Sequence, residues 1–382
     1  MTVDNVTELT SLETEFSWNA LNSDVDRSLL PVTVILGFYL LVGVIGNFLV
    51  VFIYVFRWEA PKTDHFFVPI LAVLDMSACL VSAGVGIYAN MNIVKFRSDV
   101  LCKTVAFLGI FFVKMSGDLL SIIAFDRYLK INKPFDDQMS FRWKKISVVI
   151  MSITGLLMAI PSLFTYGTIP LQHPGTGDRG CLCANSNTPH HNHISLEWSL
   201  KVCYQFVMLV DVLARFVGLV ICYFHIGKQL YKHSKTRIQR RLQQGQNTLT
   251  RPSCVNEQDE EPRQERDSLV TNGNITRETT PLPLVRLSRQ SSKFDCQRVR
   301  LTLIFMLITV IYIITMGPKL VIMIADAVQE RFWTIEPTPK LGIMRFLYTL
   351  FILNNVVNPF IYGFFDRRFR RELYRLFTSC RN

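Results

Sequence analysis

The chain has 382 residues, of which 49% are apolar and only 19% charged. The charged share is below the roughly 25% of soluble domains, and no charged side chain occurs between Arg27 and Arg57 or between Lys145 and Asp178. Such runs exceed the roughly 20 residues that cross a bilayer core, which sets aside a soluble globular fold, a secreted disulfide scaffold and a nucleic-acid-binding domain; the net charge of +11 is gathered in segments that flank the apolar runs, where membrane topology uses it.

Residues 1–28 are polar and acidic, with Asp4, Glu8, Glu13, Glu15, Asp24 and Asp26 against Arg27. They lack the basic start and apolar core of a cleavable signal, and they read as an extracellular tail. Asn5 opens an Asn-Val-Thr sequon there, a glycosylation acceptor on the outer side. Seven apolar segments follow, at 29–56, 66–90, 101–131, 146–166, 200–226, 299–325 and 341–364. Each is long enough to cross a hydrocarbon core, which takes about 20 residues as a helix. Helices are required because lipid cannot satisfy an open backbone. The expected fold is therefore an all-α membrane protein, a seven-helix bundle over 29–364.

Lys130, Lys133, Arg142, Lys144 and Lys145 follow the third segment, and Arg367, Arg368, Arg370, Arg371 and Arg375 follow the seventh. Basic residues stay inside, so these connections are cytoplasmic and the N-terminus is outside. The stretch 227–298 is rich in Gln, Arg, Ser, Thr and Pro and reads as a disordered cytoplasmic loop. Ser288, Ser291 and Ser292 in it are candidate kinase sites. Residues 365–382 place Phe365, Phe369, Leu373 and Leu376 at helical spacing among arginines, which describes a short amphipathic eighth helix on the anionic membrane face. Cys380 behind it is a palmitoylation candidate.

Several motifs now fall in order along the spans. Segment one holds Gly46-Asn47, segment two Leu71-Ala72-Val73-Leu74-Asp75, segment three ends in Asp126-Arg127-Tyr128, and segment seven carries Asn358-Pro359 followed by Tyr362. In this arrangement the chain resembles the rhodopsin-like (class A) G-protein-coupled receptors, over nearly all of its length outside the tail and the long loop. The resemblance implies a plasma-membrane receptor, not an enzyme. It implies that Arg127, flanked by Asp126 and Tyr128, contacts the G protein, with Tyr223 and Tyr362 rearranging around it and Phe135 docking from the second cytoplasmic connection. It implies an allosteric Na⁺ on Asp75, Ser116, Asn354 and Asn358, with no cofactor required; the alternative is a plain hydrogen-bonded network that fixes helix packing. It also implies a disulfide from Cys102 to the second outer loop, which offers both Cys181 and Cys183. Expected partners are an extracellular ligand, a heterotrimeric G protein, membrane lipids, kinases and arrestin, and no nucleic acid.

The chain departs from that family in places. The helix-six aromatic switch is Met316, in Thr315-Met316-Gly317-Pro318, and Arg215 stands where helix five has its proline. Where relatives carry an acid at the cytoplasmic end of helix six, Arg298 is found. Lys114 and Asp118 on helix three, with Asp211 and Arg215 on helix five, are each four apart and so share a face, giving a mutually neutralising network or the floor of a polar pocket. The aspartate used by amine receptors is replaced by Gly109, and the lysine that holds retinal in opsins by Ile352. A peptide ligand is the reading that remains, with Lys114, Asp211, Met316 and Lys319 as candidate pocket residues. The competing class is an ion channel or transporter that uses the charges of helices three and five. His190, His191 and His193 offer a further possible zinc site in the outer loop.

Overall fold

The computed structural model describes residues 3–57, 65–96, 98–133, 138–172, 179–185, 196–249, 284–328 and 339–379. Its elements in chain order are α1 (Val3–Phe52, continued by one π-helical turn, Ile53–Arg57), α2 (Phe67–Met91), α3 (Asp99–Asn132), α4 (Phe141–Ala159) and the short α5 (Ser162–Thr165). A hairpin of β1 (Tyr166–Gln172) and β2 (Arg179–Asn185) comes next, then α6 (Leu196–Leu249), α7 (Leu284–Val328), α8 (Pro339–Thr349), α9 (Ile352–Phe365) and α10 (Arg367–Ser379). Six of the helices are long and apolar enough to cross a membrane, and α8 with α9, bent by 53° at their junction, makes a seventh span.

The spans lie where the apolar segments predict them, but the structure departs from the sequence reading in four places, each for a physical reason. α1 starts at Val3 rather than near residue 29. Residues 3–28 contain neither Pro nor Gly, and Leu21, Val25 and Leu29 recur every fourth residue. That stripe packs on Ile93, Val94, Leu341 and Leu182, forming a small apolar core at one end of the bundle. Asn22 adds a hydrogen bond from Nδ2 to the Met91 carbonyl at 2.9 Å. The long connection is likewise not irregular throughout. α6 runs to Leu249 and α7 begins at Leu284. Residues 228–244 contain neither Pro nor Gly and are rich in Gln, Lys, Arg and Leu, and the prolines of the connection come later, at Pro252, Pro262, Pro281 and Pro283. Residues 227–249 and 284–298, read from the sequence as part of a loop, thus continue α6 and α7, while 250–283 lies outside the described residues.

The seventh span is two helices, not one. Thr349 turns its hydroxyl back onto the Arg345 and Phe346 carbonyls at 2.9 and 3.1 Å. The next amides bond three residues back, Leu353 to Leu350 and Asn354 to Phe351, at 3.0 and 3.2 Å. Such back-bonding bends a helix, here without a proline. The fourth difference is the hairpin, which tightens what reads as loop. Its register pairs Thr168 with Cys183 and Pro170 with Cys181. The Asp99 carboxylate accepts the Thr168 amide at 3.0 Å, which ties β1 to the first turn of α3. The Cys181 amide and carbonyl bond the Val94 carbonyl and the Phe96 amide, both at 2.9 Å.

Close packing at the other face explains the small residues of helix one. A Cβ at Gly46 would lie 2.9 Å from Pro359 Cγ, and one at Gly43 would collide with Cys79. Asn47 sits between them, fully buried, and its Nδ2 donates to the Gly43 and Asn355 carbonyls, both at 2.8 Å. Beyond the bundle, Asp366 caps α10 by accepting the Arg368 amide at 2.8 Å and takes the Tyr54 hydroxyl at 2.8 Å. Phe369 stacks on Tyr54 and is buried, while Phe365 belongs to α9 and is exposed.

Candidate functional site

Three polar clusters line the interior of the bundle. The first is at the basic end of α3. Arg127 is 2% exposed and Asp126 1%. Burying a guanidinium this deep demands compensation. Asp126 provides it, with Oδ2 at 3.2 Å from Arg127 Nη2, and the same carboxylate also meets Lys130 at 3.1 Å and Lys144 at 3.3 Å. The Arg127 guanidinium stands 5.5 Å from the centre of the Phe305 ring of α7. Tyr128 packs against Phe125 and His225. The Tyr223 and Thr309 hydroxyls hydrogen-bond at 3.2 Å, joining α6 to α7. Tyr362 packs edge-on to Tyr54, with its hydroxyl buried and without a hydrogen-bond partner among the described residues. Asp126, Arg127 and Tyr223 are thus gathered at one end. Lys130 and Lys144 were legible only as positive-inside charge; a carboxylate shared by three cations is what the structure adds.

The second cluster surrounds Asp75, which is fully buried. Its Oδ1 accepts from the Ser116 hydroxyl at 3.2 Å and its Oδ2 from Asn358 Nδ2 at 2.6 Å. Asn354 does not bond Asp75; its Nδ2 turns to Asn355 Oδ1 at 3.4 Å. The side-chain oxygens of Asn354 and Asn358 are buried and meet no donor among the described residues. A small cavity lies beside them, lined by Val113, Ser116, Tyr312, Met316, Phe351, Asn354 and Asn355. Carboxylate, hydroxyl and amide oxygens, two of them unsatisfied, are the donor set a hard cation takes, so the residues present fit Na⁺.

The third cluster joins α3 to α6. Lys114 Nζ meets Asp118 at 2.7 Å and Asp211 at 3.1 Å, and Arg215 meets Asp211 at 2.6 Å and Asp118 at 3.8 Å. All four side chains are largely shielded, so the two acids and two bases close into a ring of zero net charge. Gly117 makes room for it, because a Cβ there would run into the Arg215 guanidinium and lie 2.7 Å from the Tyr312 hydroxyl. Of the expected pocket residues, Lys114 and Asp211 belong to this ring, Met316 borders the cavity, and Lys319 lies apart, its Nζ 3.6 Å from the Phe351 ring centre and 5.3 Å from that of Tyr348.

Cys102 bonds Cys183, which decides between the two candidates; Cys181 and Cys203 carry free thiols. Phe135, Cys380 and the three histidines lie outside the described residues, as do the side chains of Asn5, Ser288, Ser291, Ser292 and Arg298.

A bundle of seven spans with a short helix packed across its end, a buried Asp-Arg pair at the end of the third span and a buried carboxylate bonded to the seventh defines a multi-pass membrane protein of the receptor type. Residues 46–362 match the family model described as 7 transmembrane receptor (rhodopsin family), and the chain belongs to that family. It is 24% identical over 365 residues to the GQ-coupled rhodopsin of Mizuhopecten yessoensis, with 91% of this chain and 61% of that protein covered. It is 21% identical over 370 residues to the neuropeptide receptor npr-1 of Caenorhabditis elegans, covering 93% of this chain and 74% of that one. The crystal structure of squid rhodopsin superposes with a TM-score of 0.63 at 18% identity, over 92% of this chain and 80% of that one. This chain therefore spans less than two thirds of the Mizuhopecten rhodopsin's length.

Proposed function

We propose that this chain is a plasma-membrane receptor, N-terminus outside, that turns binding of an extracellular peptide into activation of a heterotrimeric G protein, with kinases and arrestin as further cytoplasmic partners. The observation that carries the reading is the guanidinium of Arg127, stored inside the basic end of the bundle by the Asp126 carboxylate. A cation so placed is a group kept for a partner that arrives when the helices separate. Family membership and a neuropeptide receptor among the relatives support the same conclusion. Retinal is not favoured, since Ile352, buried at the start of α9, has no amine to hold it. The test is G-protein activation in cells that express the chain and are exposed to a peptide library. Arg127→Ala is expected to abolish activation at retained surface expression; full signalling by that variant would overturn the reading.

We further propose Na⁺ as an allosteric ion held by Asp75, Ser116, Asn354 and Asn358. When bound it supplies a positive charge beside the Asp75 carboxylate. Purified protein should melt higher in sodium chloride than in choline chloride, since an ion at ten times its dissociation constant stabilises by roughly 1.4 kcal/mol, or a couple of degrees. Asp75→Asn should melt alike in both salts, and a persisting difference would place the ion elsewhere.

A further inference from the structure

Lys319 is a cation in the bundle that meets no anion among the described residues. It sits one turn beyond Met316 on the face of α7 that also carries Tyr312, and both of those side chains are buried against the bundle interior. Its ammonium lies over the rings of Phe351 and Tyr348. No carboxylate and no hydrogen-bond acceptor among the described residues reaches it. Three acids of α3 and α6 are engaged elsewhere: Asp99 closes on Lys103 at 2.7 Å, Asp118 on Lys114 at 2.7 Å and Asp211 on Arg215 at 2.6 Å. The four charges that join α3 to α6 pair among themselves and sum to zero, so none of them is left over for Lys319. Aromatic faces attract an ammonium, but they return only part of the hydration it gives up.

We propose that Lys319 is the anchor for a carboxylate of the extracellular ligand, bound between α7 and α8 with Phe351, Tyr348 and Met316 as its apolar walls. The inference rests on the receptor reading and names the chemistry its ligand must present: an acidic group beside an apolar one, as at the free C-terminus of a peptide that ends in an apolar residue. A carboxylate gives the ammonium the oxygens that the chain withholds, in a charge-assisted hydrogen bond. It also draws Nζ off the face of Phe351. That ring is at the bend between α8 and α9 and forms one wall of the cavity beside Ser116 and Asn354. Binding at Lys319 is thereby felt at the polar cluster around Asp75 without the aromatic switch that Met316 replaces.

The experiment uses the purified full-length protein in lipid nanodiscs and reads thermal unfolding, not G-protein activation. The probes are N-acetylphenylalanine and its amide, and octanoate and octanol, at fixed ionic strength. The acids are expected to raise the melting temperature saturably and the neutral partners not to. Lys319→Gln should weaken the acid's apparent affinity roughly tenfold or more, and Lys319→Arg should keep it. Stabilisation by octanoate alone supports the carboxylate site and assigns it to a lipid acid; stabilisation by the amino-acid probe assigns it to a peptide terminus. Without any probe, Lys319→Met should melt no lower than the parent, because it removes a charge with no counter-charge. Equal effects of acid and amide, an unchanged response in Lys319→Gln, or a marked loss of stability in Lys319→Met would each overturn the proposal. Failure of G-protein activation with these results intact would instead remove the receptor reading and leave the site.

Discussion

Asp211→Ala alone is expected to cut surface expression sharply and to lower the melting temperature of whatever protein is recovered. Asp211 is the carboxylate that closes the ring between α3 and α6, touching Lys114 at 3.1 Å and Arg215 at 2.6 Å. Without it Asp118 faces two cations, and the membrane interior holds one uncompensated positive charge. Removing one partner of a buried pair costs about 3–5 kcal/mol, a large part of the whole stability of an ordinary domain. Replacing Lys114 and Asp211 together by apolar residues leaves Asp118 with Arg215, a neutral pair, and should restore part of the loss. Surface labelling of the single and double variants measures this. Damage that simply adds in the double variant would show that Lys114 and Asp211 are not energetically paired.

Cys183→Ser should be comparably severe, and Cys181→Ser mild. The Cys102–Cys183 bond closes a loop with a sequence separation of 81, and a cross-link of that span stabilises by roughly 4 kcal/mol in the loop-entropy account. Cys181 contributes through its backbone, which a serine preserves. Surface expression and melting temperature of the two variants should therefore separate widely. Equal losses would mean that the thiols exchange partners, and a tolerated Cys183→Ser would mean that hairpin and helix hold together without the cross-link.

The seven spans were legible because a membrane helix shows itself as an unbroken apolar run, and no contact with other elements is needed to see it. The Asp75, Arg127 and Asn358 positions were legible because charged or amide residues inside such runs stand out at once. What escaped detection depends on contacts between distant parts of the chain. Leu21, Val25 and Leu29 form a helical stripe, but it has meaning only once Ile93 and Leu341 are there to receive it. Cys181 and Cys183 are two apart on one strand, so both present themselves to Cys102; the choice is made by Asp99 holding Thr168, opposite Cys183. The break after Thr349 has no proline to announce it. The charges on α3 and α6 were legible as pairs within each helix from their spacing, whereas the link from Lys114 to Asp211 required the two helices to be seen side by side.

α1 runs without interruption from Val3 to Phe52. At 1.5 Å per residue, its part before Ala20 reaches about 25 Å past the small apolar core at Leu21 and Leu29. The first segment of the chain is thus a shaft and not a tether. A torque applied at its tip is not absorbed by slack; it is delivered to Asn47 against Asn355 and to Gly46 against Pro359, the tightest joints with α9. The place where the shaft can give is Pro31, which has no amide to offer the carbonyl one turn before it. Whatever grips the tip has a mechanical line to the seventh span, with Pro31 as a compliant point along it.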